Sequence, residues 1–218
     1  MKPLTLLFCA AIVLGACNNE SKTDGTTSTP KDTMSASNTP PPPPPMPDSA
    51  TRMKNWEHYS TPGEVHKLMA SWNGNWDGEV SMWMSPDAPP MVSKSKTVNK
   101  MIMGGRYQQS NHSGDMMGMP FEGQATMGYD IAKKEFTSTW LDNVGTGTMI
   151  TTGTWDAATK TINLKGKMVN PEAGDGREQN VREVFKIIDD NTQIMEMYCD
   201  GMDSKEFKTM EIKYTRRK

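Results

Sequence analysis

A two-residue alternation that recurs from about residue 76 to the C-terminus constrains this chain more than any other feature. In its clearest instance, Phe121, Gly123, Ala125, Met127, Tyr129 and Ile131 fall on one face, while Glu122, Gln124, Thr126 and Asp130 fall on the other. Successive side chains of a strand point to opposite sides, so this segment reads as a strand with one dry and one wet face. Ile162, Leu164, Gly166 and Met168 alternate in the same way with Thr161, Asn163, Lys165 and Lys167. Phe136, Ser138 and Trp140 do so with Thr137 and Thr139. The connections are short: Ala132-Lys133-Lys134 in one case, Asp156-Ala157-Ala158-Thr159 in another. Consecutive strands joined by tight turns are antiparallel neighbours, which predicts a meander. Further strands near 76–84, 92–103, 105–112, 145–155, 178–188, 193–200 and 206–215 bring the total to roughly nine or ten.

An open sheet of that length leaves two edges and a bare apolar face, and closing it into a barrel removes both. Gly123, Gly128, Gly153 and Gly166 lie within strands, where glycine marks a bend, a bulge or a close approach. The fold class is therefore all-β, with a sandwich of the same strands as the alternative. The exception to the strand pattern is Pro62 to Trp72. There Val65, Leu68, Met69 and Trp72 form one stripe at helical spacing, predicting a short N-terminal helix packed on a barrel end.

The first seventeen residues carry a different signal. Lys2 precedes an apolar run, Leu4 to Leu14, that ends in Leu14-Gly15-Ala16-Cys17. At roughly a dozen residues the run suits a secretory signal and falls short of the ~20 that a membrane span needs. Residues 1–17 thus read as a lipoprotein signal peptide, with Cys17 as the lipidated N-terminus of the mature chain. Residues 18–55 are mostly Ser, Thr, Asn, Asp, Lys and Pro, with almost nothing to bury, and read as a disordered tether. Pro40 to Pro45 stiffen it as a polyproline rod, and drawn out it would reach roughly 100 Å. Residues 56–218 form the folded domain. The expected setting is the bacterial cell envelope, with the outer membrane favoured because Asn18-Asn19-Glu20 carries no evident retention signal.

Cys9 leaves with the signal and Cys17 carries lipid, so Cys199 is alone in the folded part and no disulfide framework arises. A domain of about 160 residues buries enough apolar surface to do without one. The net charge of −2 disfavours nucleic acid as a partner, and Arg216-Arg217-Lys218 reads as a short solvated end.

A helix followed by Gly74-Asn75-Trp76 resembles the entry to lipocalin-like barrels. Gly104-Gly105-Arg106-Tyr107, Phe121-Glu122-Gly123, Gly128-Tyr129-Asp130, Trp140-Leu141-Asp142 and Glu211-Ile212-Lys213-Tyr214-Thr215-Arg216 follow in order. Together they resemble the bacterial family called domain of unknown function 1579, from about Thr61 to Arg217. The resemblance implies a lipocalin-like, or calycin-like, barrel. It implies no activity, because the family has none agreed, and it carries over no site residue.

A small barrel either fills its interior or holds one small ligand. The expected ligand is small and mainly apolar, with Trp140, Tyr129, Phe121 and Met127 on the wall and Gly123 and Ala125 leaving room. The alternative is a filled barrel that serves a structural or protein-interaction role. Glu183 shares a parity with Val181, Phe185 and Ile187, and Glu196 shares one with Ile194 and Tyr198. If either points inward it needs a partner, for which Arg106 and Arg182 are the candidates. A slip of one residue would instead turn these side chains to solvent, and both strands are apolar on both parities. No nucleophile–base arrangement or phosphate loop accompanies the carboxylates, so the chain reads as a non-enzyme. An enzyme using Glu183 or Glu196 with an arginine is the third reading.

No cofactor is expected. Methionine is plentiful, at 20 of 218, and clusters in His112-Ser113-Gly114-Asp115-Met116-Met117-Gly118-Met119. Thioethers beside an imidazole suit copper(I), but methionines spread over almost every strand fit gap-filling or an adaptable mouth better. His58, His66 and His112 are scattered, without the spacing of a zinc site. A haem on His112 lacks a second supporting residue, and the expectation is a histidine facing solvent.

Overall fold

The computed structural model describes residues 42–201 and 205–218. Cys17, the signal segment and the tether as far as residue 41 lie outside the described residues. Pro47–Lys218 forms one compact unit.

The strands are β1 (Gly74–Met82), β2 (Met91–Ile102), β3 (Tyr107–Met116), β4 (Met119–Asp130) and β5 (Glu135–Asp142). They continue as β6 (Met149–Asp156), β7 (Thr161–Val169), β8 (Glu178–Asp189), β9 (Thr192–Asp200) and β10 (Glu206–Arg216). Each pairs antiparallel with the next, and β1 also pairs with β10, so the ten-stranded meander closes on itself. The expected all-β barrel is observed. Boundaries shift where the turn chemistry was not read. β3 starts at Tyr107 because Met103, Gly104 and Gly105 all take left-handed conformations in the preceding turn.

Two helices precede the barrel. α2 (Glu64–Ser71) is the predicted one, and its Met69 is buried. α1 (Ser49–Ser60) occupies part of the segment read as tether. Asp48 caps it, accepting from the Thr51 N–H at 3.0 Å and from the Thr51 hydroxyl at 2.8 Å. The helix buries no residue, so the composition was a sound guide to burial, and local capping supplied the helix.

α2 plugs one end of the barrel. Met69 and Trp72 pack on Phe136, Ile162 and Leu164, with Met127, Tyr129, Trp155 and Phe185 around them. The barrel also satisfies the carbonyls at the helix C-terminus, which have no partners within the helix. Gln108 Nε2 donates to Met69 O at 2.6 Å, Trp76 Nε1 to Trp72 O at 3.0 Å, and Asn99 Nδ2 to Trp72 O at 3.2 Å. Arg216 Nη2 donates to Ser71 O at 2.8 Å. The C-terminal arginine read as a solvated end therefore closes the barrel. Its guanidinium lies over the Trp76 ring at 4.2 Å and also bonds Asn73 O and Asp190 O.

The opposite end has no such plug among the described residues. The β1–β2, β3–β4, β5–β6, β7–β8 and β9–β10 connections lie at this end, and its rim carries Met84, Val92, Met117 and Val144, all exposed. No helix among the described residues is long and apolar enough to cross a membrane.

Candidate functional site

Directly opposed residues of an antiparallel pair share a face, so the register traces the lumen around the whole barrel. From buried Trp76 the inward set passes through Thr97, His112, Gly123 and Asp142, and through Ser95, Gly114 and Phe121 one level nearer the open end. Ser138, Thr151, Gly166, Val181, Cys199 and Phe207 continue it on the other side.

This frame places each expected site residue. Trp140 and Phe121 line the open half, their rings stacked at 6.3 Å. Gly123 lies beneath them, where a Cβ would come within 2.5 Å of the indole. Tyr129 and Met127 also face inward but belong to the plugged end, where Tyr129 packs on Phe136 at 4.9 Å. The four side chains expected on one wall are thus divided between two halves.

Glu183 faces inward, as the parity of β8 suggested. Glu196 does not. It pairs with Val184 and Glu211 on the outer face, where Lys186 contacts it at 2.8 Å and Lys208 at 3.8 Å. Burial pushes its carboxyl up, but Lys186, Tyr198 and Lys208 outweigh burial and hold it below its ordinary value. Arg182 is outside too, stacked on Tyr198 at 3.8 Å and forked onto Glu206 at 2.9 and 2.6 Å. Arg106 lies in the β2–β3 turn and donates to Ser60 O and Met103 O. Neither arginine reaches Glu183.

Between plug and mouth lies a polar floor that the sequence reading missed. Thr97, Thr151, Glu183, Tyr214 and Ser138 are all buried there. Thr151 Oγ1 donates to Glu183 Oε2 at 2.9 Å, and burial raises the Glu183 carboxyl against the effect of that bond. His112 faces the lumen rather than solvent. Its Nδ1 lies 2.9 Å from Thr97 Oγ1, and its ring meets Trp140 at 5.0 Å and Tyr214 at 6.4 Å. Burial lowers its pKa to about 4, so the imidazole is neutral at pH 7. Burial also raises the Tyr214 hydroxyl, the Thr97 hydrogen bond opposing it. The alternation was present in Ser93-Ser95-Thr97 and in Ile212-Tyr214, but only the register brings these strands to one level.

Among the described residues no group of three His, Cys, Asp or Glu side chains is placed to hold a metal ion. Met117 and Met119 sit at the rim, exposed, whereas His112 is on the floor. Cys199 is buried, and burial raises its thiol pKa. Clefts of about 310 and 280 Å³ occur at the plugged end, the first lined by His58, Val65, His66 and Tyr129, the second by Leu68, Trp155, Ile187 and Arg216. Both lie beside α2 rather than at the mouth.

The model of the family described as protein of unknown function (DUF1579) matches residues 61–216, most of the chain and every strand of the barrel. The chain belongs to this family. The DUF1579 barrel is also similar to a solved structure from M. tuberculosis, Rv2717c, at 12% identity and a TM-score of 0.55. That match covers 72% of this chain and all of the other, and it shows a shared fold. A redesigned β-barrel matches at 9% identity and a TM-score of 0.36, over 69% of this chain and 95% of its own. No curated protein matches the chain.

Proposed function

We propose that this DUF1579 protein is a lipid-anchored, lipocalin-like binding protein that holds a small, mainly apolar molecule in the open half of its barrel. The observation that carries this reading is an asymmetry of burial. Inward-facing Met69, Phe136, Ile162 and Leu164 at the plugged end are sealed from solvent, whereas Phe121, Trp140, Met149, Met197 and Phe207 face the same lumen and stay partly exposed. Apolar side chains turned inward yet reached by solvent are what a lumen suited to an apolar molecule presents. The glycines and serines that line the same half, Gly114, Gly123, Gly166 and Ser93, keep side-chain volume low there.

Residues 47–218, which contain every strand, are expected to bind the neutral dye Nile red with a blue-shifted gain in emission. Trp140→Ala is expected to weaken that binding about tenfold, the equivalent of losing part of one large aromatic contact. Equal binding by parent and variant, or none by either, would remove the reading. The apolar rim favours a second one, in which the mouth docks an envelope partner. The rim variant Val92→Ser combined with Met117→Ser would then abolish partner capture while leaving dye binding intact.

Anchoring rests on the sequence around Cys17, with the outer membrane as the setting. In the host, Cys17→Ser is expected to move the protein from the membrane fraction to the soluble envelope fraction. Persistence of the variant in the membrane fraction would exclude lipid anchoring through Cys17.

A further inference from the structure

The lumen carries a charge pattern that bears on what it can accept. Lys94, Lys96, Lys100, Lys165, Lys167 and Lys186 all take outward positions in the register, and so do Arg182, Lys208 and Lys213. Arg216 is the one lysine or arginine of the described strands that faces inward, and it is committed to Trp76 and three carbonyls at the plugged end. Among the described residues, the strands of the open half therefore turn no lysine or arginine inward.

It does offer carboxyl groups. Asp142, near the rim, accepts from Trp140 Nε1 at 2.7 Å and from the Val144 and Gly145 N–H groups. Glu183, on the floor, is 7% exposed and uses one oxygen toward Thr151. Across the lumen, His112 engages Thr97 through Nδ1, which leaves its Nε2 out of that bond. Ser95 Oγ, buried without a hydrogen-bond partner, lies over Gly78 on the same lining.

We propose that the open half takes an amphiphile whose inner end is an uncharged hydrogen-bonding group, an alcohol or amide, and that it rejects carboxylates. This rests on the ligand-binding reading above and specifies the class of ligand. A carboxylate carried to the floor would lose its hydration beside Glu183 without meeting a cation, and an unpaired buried charge is strongly unfavourable. A hydroxyl or amide faces no such penalty. It can donate to a Glu183 oxygen, accept from Ser95 Oγ, and pair with His112 Nε2 as donor or acceptor according to the imidazole tautomer, which replaces its lost water contacts. Burial favours the neutral forms of both His112 and Glu183, consistent with an uncharged floor.

The test uses residues 47–218 and dansylated undecyl probes that differ only at the chain end: the carboxylate, the primary amide and the alcohol. At pH 7.5 the alcohol and the amide are expected to bind at least about tenfold tighter than the carboxylate. His112→Phe is expected to weaken the alcohol about fivefold more than it weakens Nile red, the value of one neutral hydrogen bond. Carboxylate binding as tight as that of the alcohol overturns the proposal, and so does an equal loss of alcohol and Nile red in His112→Phe. Failure of Nile red and all three probes to bind would overturn the binding reading itself. Nile red binding combined with indifference to the chain end would overturn only the selectivity.

Discussion

Trp76→Ala is expected to cost about 4 kcal/mol of folding stability, the range of large aromatic truncations in well-packed cores. The indole is 1% exposed, packs with Ile212, Tyr214 and Met195, and donates to the C-terminal carbonyl of the plug helix. Arg216→Ala is expected to cost about 3 kcal/mol. It removes a cation–π contact and the guanidinium's hydrogen bonds to the carbonyls of Ser71, Asn73 and Asp190. The two losses should not add. Once the indole is gone the guanidinium has nothing to stack on, so the double variant should lose measurably less than the single losses combined. Urea unfolding of residues 47–218, followed by far-ultraviolet circular dichroism, reads all three variants. Additive losses would mean that the stack and the helix cap act separately. Arg216→Lys is expected to fall close to Arg216→Ala, because an ammonium cannot present the planar fork to several carbonyls at once.

The second large effect is expected at Gly153, in the middle of β6. A Cβ there would overlap the carbonyl oxygen of Asn163 on β7, and the nearest alternatives are the Asn163 carbonyl carbon and Leu164 Cα. Only backbone could give way. Gly153→Ala is therefore expected to lose about 3 kcal/mol, at the upper end of overpacking costs, by forcing β6 and β7 apart. Gly123→Ala makes an informative contrast. There the obstacle is the Trp140 ring, a side chain that can swing toward the open mouth, so a loss of about 1 kcal/mol is expected. Unfolding midpoints of the two variants measured side by side check the ordering. A smaller loss for Gly153→Ala than for Gly123→Ala would contradict the close β6–β7 approach.

The same contrast shows which parts of this protein could be read along the chain. Alternation is a property of a few consecutive residues. It therefore located all ten strands, and it identified Phe121, Gly123, Ala125 and Trp140 as inward-facing. It offered an inward Glu183 beside a one-residue slip, and the register decides for the inward position, with Val181 and Phe185 on the same parity. At Glu196 the same two frames were open and the outer one holds: Ile194 and Tyr198 form an apolar stripe on the outer face, covered by Arg182, Lys186 and their acidic partners. Charged side chains with long aliphatic stems let such a stripe sit outside at little cost, so hydrophobicity alone could not choose the frame. His112 was misread for a related reason. Its neighbours in sequence are polar and loop-like, and only the β2–β3–β4 register turns its ring into the lumen.

Sequence by itself determined the all-β class, the antiparallel meander, the plug helix and the family, because these follow from local periodicity, short turns and motif order. Tertiary structure decided the rest: that the terminal arginine closes the barrel over Trp76, that the expected aromatic wall is divided between core and mouth, and that the lumen floor is polar without a cation. Those outcomes depend on which residues meet across strands far apart in the chain. That pairing is set when β10 closes on β1, and no window of neighbouring residues contains it.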